Sequence, residues 1–428
     1  MELKDNKKQS LQRFGAVILS AGYSSRMKAF KPLLPLDGKS VIVRMIEMLR
    51  QAGIESITTV TGYQRERLQP ILQTLEVQES YNARFDAGMF TSIQRGLADA
   101  KKALPQAEGF FLMPVDCPLI SAPVLDALCA AWHPGKFHVP VYEGKKGHPL
   151  LVPADLVEEI CSYDGPGGLK AITDRRWEQM VRVPVAAEGC LLDMDTPEGY
   201  AEIQDFLAAG GRRKPLQELA RGRTIVLIRH GETRQHAEKM FIGQYDVPLE
   251  ETKQQNIVQM AQQLKRELAA LQETVLQEGA GVPLPNISRI YTSDLQRAAE
   301  TARIVNEVCG WKAEMNEEKA FREIALGSWD GKAIREIREQ DPQAYERRGA
   351  DIFSFKIGNR AENFYDLQYR AVKRLRQILE EDSSRLLVIV THSGVIRALE
   401  NNLRGLRVED AWNMLPKCSY RILRLEEK

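Results

Sequence analysis

The chain lacks any close pair of cysteines. Cys117, Cys129, Cys161, Cys190, Cys309 and Cys418 are scattered through 428 residues, with no C-x-x-C and no zinc-like spacing. A chain this long buries a core without covalent staples, so reduced thiols are expected. Excess charge is missing too. Fifty-nine Lys and Arg against 58 Asp and Glu give a formal net charge of +1 with the signs interspersed, which excludes the basic stripe that nucleic acid or an anionic membrane surface requires. No apolar run approaches the roughly 20 residues of a spanning helix, and Met1–Arg13 is charged rather than apolar, unlike a secretion signal. Internal repeats and low-complexity tracts are absent. These absences together predict a cytoplasmic protein with small-molecule substrates and no membrane or nucleic-acid partner.

What the chain does have is the same device twice: a short apolar strand that breaks into a loop suited to phosphate. Phe14–Leu19 runs into Ser20-Ala21-Gly22-Tyr23-Ser24-Ser25-Arg26-Met27, with Lys31 just beyond, and Thr224–Ile228 runs into Arg229-His230-Gly231-Glu232-Thr233. Length and a 43% hydrophobic content allow two separate cores. In each half strand-like and helix-like stretches alternate, which implies α/β architecture with a mostly parallel sheet. Ile42, Met45, Ile46 and Leu49 recur at helical spacing and stop at Gly53; Ile57–Thr61 and Phe110–Val115 read as strands, and Thr91–Leu104 as a helix opened by a Thr/Ser cap. Small, basic and proline residues replace the apolar pattern around Ala208–Pro215. The expected division is therefore 1–209, a linker over 210–222, and 223–428. In the second half Ile257, Met260, Ala261, Leu264, Leu268 and Leu271 mark a long amphipathic helix. A loop at Gly279–Pro285 precedes the strand Ile287–Tyr291, a helix starts near Asp294, and Leu386–Val390 forms a buried strand ahead of Thr391-His392.

A glycine turn after a strand lets backbone N–H groups approach anionic oxygens, but alone it is only a tight connection. Arg26 and Lys31 nearby supply two cations able to clamp a triphosphate. In this context Leu19-Ser20-Ala21-Gly22-x-Ser24-x-Arg26-Met27-x-x-x-Lys31-x-Leu33 resembles the signature of the MobA-like nucleotidyltransferases. The match continues in order through Gly88-Met89-x-x-Ser92-Ile93, Pro114-Val115-Asp116-Cys117-Pro118-Leu119, Gly147-His148-Pro149 and Asp193-Met194-Asp195-Thr196-Pro197-Glu198. The resemblance implies a Rossmann-like, GT-A-like nucleotidyltransferase sheet. It places the nucleotide on Leu19, Ser20, Ala21, Gly22, Arg26, Lys31, Gly88 and Ser92, with Lys31 also catalytic, and Mg2+ on Asp116 with Asp195 or Asp193. His148 either contacts the acceptor or fills the wall of the site. The Ala-Gly loop and the Gly-His-Pro segment are most similar to molybdenum cofactor cytidylyltransferases. They point to CTP as nucleotide, a molybdopterin-type acceptor and, as a protein partner, a molybdoenzyme receiving the cofactor. Lys28 stands where relatives commonly have glycine.

In the second half two histidines stand at strand ends, where open α/β sheets bind ligands. Arg229 and Arg297 can hold phosphoryl oxygens bidentately, and a neutral imidazole can attack phosphorus. Arg229-His230-Gly231-Glu232-Thr233, Gly243-x-x-Asp246-x-Pro248-Leu249, Phe321-Arg322-Glu323-Ile324-x-x-Gly327-x-Trp329-Asp330-Gly331 and Thr391-His392-Ser393-Gly394 together resemble the histidine phosphatase, or phosphoglycerate mutase-like, superfamily. The resemblance implies a three-layer α/β/α domain in which His230 is the nucleophile, Arg229, Arg297 and His392 complete the phosphate pocket and Glu323 is the general acid. It implies a phosphomonoester substrate and no cofactor. His236 stands where relatives often have Asn. The expected protein is bifunctional. Its alternatives are cobalamin nucleotide-loop assembly, pairing a guanylyltransferase with an α-ribazole phosphate phosphatase, and a transferase carrying a non-catalytic phosphatase-like binding module.

Overall fold

A computed structural model describes residues 11–234, 239–277, 287–357, 360–410 and 414–425. The Gly279–Pro285 loop and His236 lie outside the described residues. Contacts divide the chain into two units, Met1–Arg213 and Lys214–Lys428.

The first unit is built on β1 (Phe14–Leu19), α1 (Val41–Ala52), β2 (Ile57–Thr61), α2 (Arg65–Thr74), β3 (Gln78–Tyr81), α3 (Met89–Ala103), β4 (Gly109–Pro114), α4 (Ala122–Ala130), β5 (His138–Tyr142), β6 (Leu150–Pro153), β7 (Val181–Pro184) and α5 (Pro197–Ala208). The sheet runs β7-β5-β6-β4-β1-β2-β3, with the two-residue strand Lys145–Lys146 paired to β5. β1 lies parallel between β2 and β4, whereas β6 is antiparallel to β4. Every residue of β1 is buried because helices cover both faces. Phe14, Ala16 and Ile18 join the core under α1, α4 and α5, while Val17 and Leu19 join the one under α3. α1 ends at Gly53, in the left-handed conformation at φ 100. Its N–H bonds to the Arg50 carbonyl, and the Ile54 N–H to that of Leu49, a reverse closure of the last turn. The helix expected from Thr91 begins earlier, at Met89. Gly88 at φ 107 serves as its cap, with no side-chain cap, so the hydroxyls of Thr91 and Ser92 lie inside the first turn.

The second unit contains β8 (Arg223–Arg229), α6 (Gln254–Gln277), β9 (Arg289–Thr292), α7 (Gln296–Cys309), β10 (Glu314–Glu317), α8 (Phe364–Glu381), β11 (Leu386–Thr391), α9 (Ser393–Leu403) and β12 (Ser419–Leu425). The sheet order is β10-β9-β11-β8-β12, with only β12 antiparallel to its neighbour. Ile225, Leu227, Leu387 and Ile389 face α8 and α9, and Val226, Ile228, Val388 and Val390 face α6 and α7, which makes three layers. Each such fully buried side chain contributes about 1.5–3 kcal/mol. Leu216 and Ala220, within the segment expected as linker, are buried in this second core. The helix expected near Asp294 begins at Gln296, and the Asp294 carboxylate pairs with the Arg322 guanidinium.

Candidate active sites

Strand register builds both sites. In the first unit β1 and β4 pair Leu19 with Pro114, and the Val115 N–H closes on the Leu19 carbonyl. The Ser20 loop and Asp116 therefore leave the same end of the sheet side by side. The sheet also reverses order here, since β1 continues to β2 on one side and meets β4 on the other, and such a switch point opens a crevice. The Asp116 carbonyl accepts the Met194 N–H at 2.9 Å, which draws in the segment around Asp195.

Lys31, only 7% exposed, reaches into this crevice. Its Nζ lies 2.6 Å from Asp195 Oδ1 and 3.4 Å from Asp116 Oδ2, and Arg26 Nη2 lies 2.7 Å from Asp195 Oδ2. Asp193 takes no part in this pairing; its Oδ1 accepts the Asp195 N–H at 3.2 Å and shapes the turn. Burial raises Asp116 above the usual carboxylate range, although Lys31 opposes it. Burial also pushes Asp195 upward, but hydrogen bonding and charge from Lys31, then Arg26, outweigh it and hold Asp195 low. Burial lowers His148. The glycine before it is required, since a Cβ at Gly147 would lie 2.5 Å from the Cys190 carbonyl oxygen.

At the loop itself, a Cβ on Gly22 would meet no atom of the described residues within 4 Å beyond its chain neighbours, which leaves the backbone open to approach. Ser20 Oγ is buried without a hydrogen-bond partner among the described residues, and Leu19 and Ala21 are buried beside it. Gly88 has equally open space at its Cβ position, whereas the Ser92 hydroxyl accepts from Asn82 Nδ2 at 2.9 Å. Lys28 is exposed with φ 56. That left-handed backbone explains why glycine suits the position.

Among the described residues no group of three or more His, Cys, Asp or Glu side chains could hold a metal. Magnesium needs fewer. One or two carboxylates suffice when phosphate oxygens and water fill the remaining octahedral positions. Asp116 and Asp195, converging on one ammonium, match that donor set.

In the second unit β8 and β11 pair Arg229 with Thr391, so His230 and His392, one residue further on, emerge together. Their ring centroids are 5.0 Å apart at 60°. His230 Nδ1 lies 2.7 Å from the Gly231 carbonyl. A carbonyl only accepts, so Nδ1 carries the proton and Nε2 keeps its lone pair for attack. His392 Nε2 lies 2.9 Å from Ser293 Oγ, on the neighbouring strand end.

Arg297, 2% exposed, is anchored by the Tyr245 carbonyl at 3.0 Å and the Gly243 carbonyl at 2.8 Å, while Arg229 donates to the Leu415 carbonyl. Glu323 is held at both oxygens. Oε1 accepts from the Ile324 N–H at 2.9 Å and Oε2 from the Gly394 N–H at 3.2 Å. A Cβ on Gly394 would sit 2.4 Å from Glu323 Oε1, so only glycine there allows the carboxylate so close to the start of α9. Arg229 Nε, His392 Nδ1 and Ser393 Oγ are buried with no hydrogen-bond partner among the described residues. Such orphans cost stability unless an anion takes them.

Burial, then the charge of Arg297, drives His230 well below the usual histidine range, against the opposing Gly231 hydrogen bond. Burial, then His230 and Arg297, does the same to His392. Attack requires neutral imidazole. Depression of both groups therefore predicts that kcat/KM for an aryl phosphate falls on the acid side only below the ordinary histidine value of about 6.5. The same shift has a stability consequence. The unfolded chain binds these protons first, so stability drops as pH falls below about 6.5. A pH–rate profile and thermal melts at several pH values check both; an acid limb at or above the ordinary value contradicts the buried, cation-flanked environment.

The expected residues thus assemble as two groups, Arg26, Lys31, Asp116 and Asp195 in one unit and Arg229, His230, Arg297, Glu323 and His392 in the other. Sequence reasoning missed Ser293, the partner of His392, and Lys417, whose Nζ donates to Thr233 Oγ1 at 3.0 Å. Ser293 stands beside a motif and was legible as a strand-end hydroxyl. No pattern announces Lys417, which lies 184 residues from its partner.

The family described as MobA-like NTP transferase domain matches residues 16–181, and the histidine phosphatase superfamily, branch 1, matches residues 225–276 and 277–428. Phosphoglycerate mutase-like protein 4 of Arabidopsis thaliana is 32% identical over 180 residues, 42% of this chain and 70% of that protein. The chain is a MobA-like NTP transferase domain joined to a histidine phosphatase domain. The phosphatase half is also similar to a metal-independent phosphoserine phosphatase of Arabidopsis thaliana, 30% identical over 175 residues, 41% of this chain and 66% of that protein. A nucleotidyl transferase structure from Methanothermobacter covers 46% of this chain and 98% of its own, at 21% identity and a TM-score of 0.40. No helix among the described residues is long and apolar enough to cross a membrane.

Proposed function

We propose that the protein is a bifunctional enzyme, with magnesium-dependent transfer of CMP from CTP to a molybdopterin-type acceptor in the first domain and phosphomonoester hydrolysis through a phosphohistidine in the second. The observation that carries the reading is the convergence at each strand-end crevice of groups suited to phosphorus chemistry: Lys31 bridging Asp116 and Asp195, and His230 beside His392 under Arg229 and Arg297.

In the transferase, Ser20, Ala21 and Gly22 bring the backbone to the triphosphate, and Arg26 and Lys31 neutralise it. Asp116 and Asp195 would hold Mg2+, which when bound supplies charge neutralisation at the phosphates. Asp193 shapes their turn. The acceptor oxygen attacks the α-phosphorus, the bond to the β-phosphate oxygen breaks, and pyrophosphate leaves. CTP and the pterin acceptor are supported by the Ala21-Gly22 and Gly147-His148-Pro149 segments.

In the phosphatase, His230 Nε2 attacks phosphorus while Glu323 gives a proton to the departing alkoxide. Water then breaks the P–N bond, returning its proton to Glu323 and releasing phosphate. Arg229, Arg297 and the orphaned Nδ1 of His392 bind the oxygens on which charge collects.

The test is to supply CTP, GTP, ATP or UTP with purified molybdopterin cofactor and measure pyrophosphate, while following aryl phosphate hydrolysis in parallel. CTP should give the highest rate. EDTA should stop transfer and spare hydrolysis, and vanadate should inhibit hydrolysis preferentially. GTP preference with a cobinamide phosphate acceptor would move the first domain to cobalamin nucleotide-loop assembly, and loss of both activities in EDTA would overturn the division of labour.

A further inference from the structure

Both oxygens of Asp195 are engaged by cations of the chain itself. Lys31 Nζ lies 2.6 Å from Oδ1 and Arg26 Nη2 2.7 Å from Oδ2, and the same ammonium faces Asp116 Oδ2 at 3.4 Å. The two carboxylates suited to magnesium are therefore already neutralised. Lys31 and Arg26 ride on one loop, the one that leaves β1. The Lys28 N–H closes it on the Ser24 carbonyl at 3.1 Å, and the Lys31 N–H meets Ser24 Oγ at 3.5 Å. Just beyond, the Leu34 N–H closes a tight turn on the Lys31 carbonyl at 3.1 Å. The backbone is thus fixed while the flexible four-carbon stem of Lys31 and the exposed side chain of Arg26 remain able to swing.

This arrangement sets up two competitions. A divalent ion and an ammonium cannot share the same carboxylate oxygens in a largely buried crevice without strong mutual repulsion. A triphosphate on the Ser20–Gly22 backbone, in turn, claims the two cations that hold Asp195. Its charge exceeds that of the carboxylates, so it wins them. We propose that Lys31 and Arg26 are a counterion latch on the metal site: they hold free metal off Asp116 and Asp195 until the phosphates of the nucleotide draw them away, so that metal and nucleotide enter together. Lys31 is the main bolt, because it alone reaches both carboxylates. The latch rests on Asp116 and Asp195 being the magnesium ligands and adds the order in which that site fills.

Mn2+ without nucleotide is the probe, its binding to the full-length protein followed through the electron paramagnetic resonance signal of the free ion. Lys31→Met should tighten binding by about tenfold or more, because a unit charge has been removed from within a few ångström of the site. Mn2+ should also raise the melting temperature of this variant more than that of the wild type. Arg26→Met opens one oxygen only and should tighten binding less. In an Asp195→Asn background Lys31→Met should bring little gain, since the oxygens for which ammonium and metal compete are gone. Equal Mn2+ affinity in the wild type and Lys31→Met overturns the latch. The reverse half is read in EDTA, where it does not depend on the stability of Lys31→Met: Asp195→Asn releases both cations and should bind CTP at least about threefold more tightly than the wild type, and equal or weaker binding overturns the latch. A Lys31→Met protein whose Mn2+ affinity is unchanged by both Asp116→Asn and Asp195→Asn overturns instead the assignment of those carboxylates as metal ligands, so the two failures read differently.

Discussion

Replacing His230 by alanine is expected to lower kcat for an aryl phosphate by at least about 10^3-fold, because a nucleophile that forms the covalent intermediate has no partial substitute. The neighbouring imidazole cannot take over. His392 Nε2 is turned onto Ser293 Oγ, and its ring sits at an angle to that of His230. Brief incubation of the wild type with labelled substrate and acid-free quenching should trap phosphate on a histidine, and the variant should trap none. Nucleotidyl transfer should be unaffected, since His230 lies in the other unit. Retention of more than about a tenth of the hydrolysis rate would exclude His230 as nucleophile and favour the phosphatase-like half as a binding module.

Lys31→Met should lower pyrophosphate release by about 10^2–10^3-fold, the loss typical of removing one preorganised charge from a phosphoryl clamp. The effect has two parts. The triphosphate loses a cation, and Asp116 and Asp195 lose the ammonium that both face at 3.4 and 2.6 Å. Arg26, with 71% of its side chain exposed, cannot take its place at Asp116. The carboxylates left facing one another should repel, costing stability as well as rate. Combining Lys31→Met with Asp116→Asn separates the two parts: the melting temperature should recover while transfer stays low. Transfer within about threefold of wild type in the single variant would mean that Lys31 is a structural counterion.

Much of this was legible in the chain before any tertiary structure. The apolar runs at Phe14–Leu19 and Leu386–Val390 are long enough for buried strands and too short for helices, and each ends at its chemistry. The Ile42, Met45, Ile46 and Leu49 spacing gave α1, because a 3.6-residue period leaves one face to bury. Local capping was read less well. The first turn of α3 contains hydroxyls, yet Gly88 caps it, since its positive φ lets the chain turn sharply enough to enter the helix. The helix expected near Asp294 does begin there, at Gln296, but the bidentate pairing of Asp294 with Arg322, 28 residues away, has no local signature.

Residue types and their order along the chain thus determined the two α/β units, their motif-bearing loops and most of the groups gathered in each crevice, because burial periodicity and strand-end chemistry are local properties. Which strands lie side by side, and hence that His230 meets His392 and that Lys31 bridges Asp116 and Asp195, was decided only by sheet register and by the return of the chain at Met194. Lys417 shows the limit most plainly. Its place beside Thr233 follows from an antiparallel edge strand that brings together residues almost half the chain apart, and no spacing rule encodes that contact.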